Sequence, residues 1–278
     1  MVTERIAESV YLFTSEEYAQ VNAGAVIGPE WSVLIDTLAS PQETRQIRDF
    51  VERRLGSPVR YVVNTHYHAD HTLGTCLFPG AIVISHALCR EFLDTRGRDA
   101  LARARDQNRD LRDMEVVLPQ AVFDEGGLSL RVGRRVLQLL PLAGHSRDGI
   151  GVLVLEDRVL FSGDAMMPIP YLVDGDLDEM LESLKRLPRL KLENLIQGHG
   201  EVVLRGEIQN AVRSNLTYLS HLAREVRRAA RRKSPAEYLR EIDVEECGKS
   251  RILLNGLAAD LHARNVAWLY QRWYGDPG

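Results

Sequence analysis

Residues 59 to 71 read Val59-Arg60-Tyr61-Val62-Val63-Asn64-Thr65-His66-Tyr67-His68-Ala69-Asp70-His71, an apolar run that empties into four metal-binding side chains. Imidazole and carboxylate are the donors that zinc, iron and manganese accept. The β-branched and aromatic residues before them predict a strand, so a strand delivers a ligand loop. His66 and His68 stand two apart in extended chain and project the same way, which lets them converge on one ion. Asp70 and His71 come where the chain turns into a helix through Thr72 and Leu73, and so face an adjacent position.

Working outward, the N-terminal half alternates short apolar runs with polar turns: Val10 to Thr14, Val21 to Ile27, Trp31 to Asp36 and Ala81 to Ser85 as strands, with a helix from Pro41 to Leu55. Ser40 before Pro41, with Glu43 three residues on, predicts a capping box. Residues 86–115 are rich in Arg and Asp with spaced apolar positions; they read as a solvated amphipathic excursion, with a lid over a nearby site as the functional alternative. From Val116 onward strands return: Ala121 to Phe123, Leu128 to Val132, Val136 to Leu142, Gly149 to Leu155 and Val159 to Phe161, with Glu156-Asp157 as a hairpin turn. A helix over Asp176 to Leu187 and a strand over Leu192 to Ile196 follow, and after Gly206 the chain is helical, Glu207 to Arg232 being one long segment. Ser234 predicts a further capping box. This divides the chain into an α/β unit, 1–206, and a helical extension, 207–278.

Three more ligand-type residues sit just beyond apolar strands, where sites collect in α/β sheets. They are His145 in Gly144-His145-Ser146, Asp164 in Ser162-Gly163-Asp164, and His199 in Gly198-His199-Gly200. Any one of them alone reads as a cap or a hydrogen-bonded loop residue. Together with the first run they place five of the chain's eight histidines in such loops, leaving His86, His221 and His262 as ordinary surface or packing residues.

Composition narrows the function classes. With 35 basic and 39 acidic residues in 278, a net charge of −4 and no basic platform with interleaved aromatics, a nucleic-acid partner is not indicated. The first residues lack the apolar core of a signal peptide, no later stretch is long enough to span a bilayer, and three cysteines form no CxxC pair. The expectation is a cytoplasmic protein acting on a small molecule without a membrane. Asn215-Leu216-Thr217 matches a glycosylation sequon by chance on that reading. The basic cluster from Arg224 to Lys233 is a solvated helix face, and the aromatic end, Trp268, Tyr270, Trp273 and Tyr274, a docking face onto the core, with a homodimer contact as the alternative.

On these residues the chain resembles the metallo-β-lactamase-fold superfamily. The hallmark HxHxDH is present as His66, His68, Asp70 and His71, followed in order by His145, Asp164 and His199. The resemblance implies an α/β fold, an αβ/βα sandwich with a C-terminal helical extension. It implies two divalent metal ions, zinc first with iron or manganese as alternatives. His66, His68 and His145 would hold one, Asp70, His71 and His199 the other, and Asp164 would bridge. The implied chemistry is attack by a metal-bridging hydroxide on an acyl carbon, with Asp70 also able to shuttle a proton.

Departures from the family's branches narrow the substrate. Asp164 stands where true β-lactamases have cysteine or serine, which disfavours antibiotic hydrolysis, and His68 stands where the diiron flavoproteins have glutamate. Lactonases of the fold share all seven ligands but place a tyrosine where this chain has Met167, with Tyr171 nearby. Glyoxalase-II-like thioesterases match at Thr65 and Gly163-Asp164, but their glutathione-binding basic residues are not identifiable. The expectation is cleavage of an ester, thioester or lactone, with a phosphodiesterase or a mononuclear-iron persulfide dioxygenase as alternatives. Residues 166–176 either line an apolar pocket, with Met167 and Tyr171 as substrate contacts, or pack under the following helix.

Overall fold

The computed structural model describes residues 1–276. The first sheet takes its strands in chain order: β1 (Val2–Ala7), β2 (Val10–Thr14), β3 (Asn22–Ile27), β4 (Ser32–Ile35), β5 (Val59–Val63), β6 (Ile82–His86) and β7 (Ala121–Phe123). The first four pair antiparallel; β4 to β7 run parallel. A second sheet holds β8 (Leu128–Val132), β9 (Arg135–Pro141), β10 (Ile150–Val154), β11 (Val159–Phe161), β12 (Asn194–Ile196) and β13 (Val203–Leu204). There β8 to β11 form antiparallel pairs, β11 and β12 are parallel, and so β9, β11 and β12 point the same way.

Strand alternation explains how the sheets stack, because successive side chains leave a strand on opposite faces. Val33, Ile35, Val63 and Ile84 turn inward to meet Ile150, Val152, Val159, Phe161 and Ile196 of the other sheet. Their neighbours Leu34, Val62 and Val83 turn outward onto α1 (Pro41–Arg48), which buries Ile47 there. On the far side Leu153, Leu160 and Leu195 pack beneath α5 (Leu177–Arg186), α6 (Ile208–Ala229) and α8 (Ala258–Tyr274). The result is the expected αβ/βα sandwich, with the C-terminal helices in its outer layer.

Three local expectations differ. The helix from Pro41 changes to a π turn over Asp49–Arg54. Ser40 accepts the Glu43 amide, but the Glu43 carboxylate turns away to accept from Ser15 Oγ and the Glu16 amide, so only half of the capping box forms. Ser234, ahead of α7 (Pro235–Glu241), makes no side-chain cap at all. Strands β1 and β13 carried no signal in the sequence: β1 is an edge strand with its first four residues exposed, so it shows no apolar alternation.

The excursion 86–115 folds as α3 (Ala87–Phe92), a π turn over Leu93–Gly97 and α4 (Arg98–Gln107). Asn215 of the sequon is fully buried, donating to the Met167 carbonyl and accepting from Lys249 Nζ. Trp268 and Trp273 pack against the core and Tyr270 is buried, whereas Tyr274 is exposed. Cys76, Cys89 and Cys247 are free thiols. Among the described residues no helix is long and apolar enough to cross a membrane.

Candidate metal centre

All seven expected ligands meet at one edge of the sandwich. β5 ends at Val63 and the loop that follows carries His66 and His68 into α2 (Ala69–Thr72), which holds Asp70 and His71. β9 leads to His145, β11 to a 3₁₀ turn holding Asp164, and β12 to His199. Two glycines make the fit. Gly163 adopts φ +50° against Thr65, a conformation a side chain would resist. At Gly198 a Cβ would collide with Asp164 Oδ1, so glycine is what lets the His199 loop close on the carboxylate. Asn22 ties that loop to β3, donating to the Gln197 and Gly200 carbonyls at 2.9 and 2.8 Å.

The ligand atoms fall into two groups, His66, His68, His145 with Asp164, and Asp70, His71 with His199, each within 4.8 Å. In the first, His68 Nδ1 lies 3.1 Å from His66 Nε2 and 2.9 Å from His145 Nε2. In the second, Asp70 Oδ2 is 3.3 Å from His199 Nε2 and 3.9 Å from His71 Nε2. The Asp164 carboxylate stands between them: Oδ2 is 3.3 Å from His145 Nε2 and 3.8 Å from His66 Nε2, while Oδ1 is 3.2 Å from His71 Nε2 and Oδ2 3.5 Å from His199 Nε2. Donors about 2.0–2.1 Å from a tetrahedral zinc stand about 3.3 Å apart, so these spacings suit a metal.

Hydrogen bonds outside the cluster fix the tautomers. His71 Nδ1 donates to Asp36 Oδ2 at 2.9 Å, His145 Nδ1 to the Tyr171 carbonyl at 2.8 Å, and His199 Nδ1 to the Ala19 carbonyl at 2.9 Å. Thr65 Oγ1 gives its proton to Asp36 Oδ2 and accepts from His66 Nδ1 at 3.1 Å. In His66, His71, His145 and His199 Nδ1 is therefore engaged outward and Nε2 turns into the cluster, whereas His68 turns its Nδ1 inward. Among the described residues, buried His71 Nε2 and Asp164 Oδ1 have no neighbour in good hydrogen-bond geometry, only each other at 3.2 Å, and buried polar atoms are rarely left so. Converging lone pairs and orphaned acceptors fit a cation.

The charges agree. Burial would lower the His199 pKa, but the Asp164 and Asp70 carboxylates beside it push it up to about 10; His71 is raised against burial in the same way, by Asp164, Asp70 and Asp36. Burial would raise Asp164 and Asp70, yet the neighbouring imidazoles hold both below the usual carboxylate range. Burial dominates at His66, aided by His71, and at His145, lowered to about 4, so both are neutral donors. The second group thus attracts positive charge, whether proton or metal, and metal binding there releases protons.

Sequence reasoning missed the residues behind the ligands. Asp36, just past β4, holds φ +58° and accepts from the Thr65 amide at 2.8 Å as well as from His71; an Asp closing an apolar run was its only signal. Asp36→Asn should weaken metal affinity about 10- to 100-fold by releasing the His71 tautomer, as read by competition with a chromophoric chelator. An unchanged affinity would show that the ring is held by other contacts. Asp174, also at positive φ (+77°), accepts from Tyr67 and from Arg96 Nη1 and lies 3.9 Å from His68 Nε2. Its Val-Asp-Gly-Asp setting reads only as a turn.

Of the two substrate candidates, Met167 is packed in the core with Met166, Ile169 and Leu172, its carbonyl held by Asn215. Tyr171 is half-buried with its ring 5.9 Å from that of His145. Beside the ligand loop a cavity of about 530 Å³ is walled by the excursion, with His68 and Ala69 in its lining.

The family model described as the Metallo-beta-lactamase superfamily matches residues 18–199. Among curated proteins, a Beta-lactamase-like protein 2 homolog of Caenorhabditis elegans is 27% identical over 173 residues, 62% of this chain and 52% of that protein. A protein of Emericella nidulans named Thioesterase pkgB is 29% identical over 177 residues, 62% of this chain and 43% of that one. The chain therefore spans about half the length of these relatives. A solved Metallo-beta-lactamase from Pontibacter korlensis shares the fold, with a TM-score of 0.60 at 21% identity, covering 76% of this chain and 97% of that one.

Proposed function

Because this chain belongs to the metallo-β-lactamase superfamily, we propose that it is a dinuclear metal-dependent hydrolase, zinc-loaded, that cleaves an ester, thioester or lactone of a small molecule. The observation that carries this reading is the convergence of seven ligand side chains on one centre, with His71 Nε2 and Asp164 Oδ1 buried 3.2 Å apart. His66, His68 and His145 would hold one cation and Asp70, His71 and His199 the second, with Asp164 shared between them. When bound, the cations supply a water acidic enough to ionise near neutral pH and polarise the acyl oxygen.

The chain's own residues arrange the rest. Asp36, Thr65 and the carbonyls of Tyr171 and Ala19 hold the imidazoles in one tautomer, so the ligands need no reorganisation. Asp70, with 20% of its side chain exposed against 5% for Asp164, is the carboxylate nearer to solvent; held ionised by its imidazole neighbours, it would relay a proton from the attacking water towards the departing oxygen or sulfur. Tyr171 contacts the substrate beside His145, and Met167 supports that segment from beneath. The thioesterase relative supports the acyl class, and Asp164 speaks against β-lactams.

Zinc-reconstituted protein offered lactone, thioester, ester, phosphodiester, β-lactam and persulfide substrates should turn over members of the acyl group only, with activity lost on chelation and regained with metal. Turnover confined to the phosphodiester, or to the persulfide with one iron per chain, overturns the reading.

A further inference from the structure

We propose that the cavity between the excursion and the ligand loop is an acyl-chain pocket, so that the substrate is an ester or thioester of an unbranched, medium-length fatty acyl group. The inference rests on the hydrolase reading for its reaction and on the cavity for its substrate. At about 530 Å³ the cavity lies within the usual range for small-molecule sites, about 300–1,000 Å³. It adjoins the metal centre at one ligand: His68 of the first group, with Ala69 beside it, belongs to its wall. An acyl carbon held at that centre would pass its chain beside His68 into this space.

The wall selects for hydrocarbon. Leu73, Leu93, Leu101, Ala104, Leu111 and Val116 face it. The charged groups on its lining, Arg96, Arg103 and Glu115, are exposed, and Asp174 is half-buried. The cavity follows the excursion from Leu93 to Ala104, roughly 16 Å at a helical rise of about 1.5 Å per residue. Ala100 and Ala104 on that wall leave room which larger side chains would fill. An apolar wall that runs along several helical turns suits an extended chain better than a compact ring system. Where the slot meets the metals, Asp174 accepts from Tyr67 and Arg96, and the Arg96 guanidinium lies 4.6 Å from the Phe92 ring centre. This ring of polar contacts marks the boundary between the reacting carbonyl and its tail.

In the reaction the acyl C–O or C–S bond breaks, water gives its hydroxyl to the acyl carbon, and its proton leaves with the alcohol or thiol. The test uses p-nitrophenyl esters from acetate to decanoate with the zinc-loaded full chain, and calorimetric titration of decanoate, hexanoate and acetate as a readout independent of turnover. We expect kcat/KM and carboxylate affinity to climb with length, by up to about fourfold per added methylene. Ala104→Trp, which fills the slot, should lower the decanoate-to-acetate ratio at least about tenfold; Leu111→Ala, which enlarges it, should move the optimum to longer chains. Metal content of each variant reports that it has folded. Esters cleaved with no dependence on chain length, or a ratio unmoved in both metal-replete variants, overturns the pocket while leaving the hydrolase. Decanoate binding lost in Ala104→Trp, with no ester or thioester cleaved by the wild type, upholds the pocket and overturns the hydrolase.

Discussion

Asp164→Asn is expected to lose metal and turnover together, with kcat down by at least about 100-fold. The carboxylate is buried with one oxygen 3.2 Å from His71 Nε2 and the other 3.3 Å from His145 Nε2, so it faces both ligand groups at once. Asparagine keeps the size but replaces one of those oxygens by an N–H donor and removes a full negative charge. The new amide opposes a lone pair with a proton on one side, and the imidazoles lose the charge that draws cations to them. The isosteric change leaves packing intact, so circular dichroism and chromatography should match the wild type while elemental analysis and assay fall together. A variant with full metal and full rate would remove Asp164 from the centre.

Chelation is expected to lower the melting temperature by roughly 10 °C, with full recovery when metal is restored. A ligand that binds only the folded chain at about a thousand times its dissociation constant adds about 4 kcal/mol, and each kcal/mol moves the midpoint of a chain of this size by about 2–4 °C. The physical source is visible in the centre: His68 Nδ1 sits 3.1 and 2.9 Å from two other ring nitrogens whose own protons are engaged elsewhere. Without a cation His68 Nδ1 has at most one proton, so it can bond only one of the two and is left facing the lone pair of the other. Scanning calorimetry with and without chelator checks this, and coincident transitions would contradict it.

The centre was legible in the sequence to the extent that chemistry and spacing travel together. His66, His68, Asp70 and His71 are adjacent, and His145, Asp164 and His199 each follow an apolar strand, so strand direction alone gathers them at one edge. The inner strands were legible for the same reason: Val33, Ile35 and Val63 alternate with Leu34 and Val62 across two buried faces. What failed was whatever depends on partners distant in sequence. The Glu43 carboxylate serves Ser15 and Glu16 instead of its own cap because β2 ends beside α1. Asp36 and Asp174 earn their roles from positive φ and from rings that the fold brings to them, and neither leaves a local pattern. Residues 86–115 read as a solvated excursion since most of their side chains are exposed; Leu93, Leu101, Ala104 and Leu111 among them line a cavity, visible only once the ligand loop lies opposite.

The central claim is that His66, His68, Asp70, His71, His145, Asp164 and His199 together hold two ions. Metal counting on zinc-reconstituted, desalted wild-type chain tests it most directly. About two equivalents per chain are expected, with activity rising as the second is filled. One equivalent at full activity would contradict it.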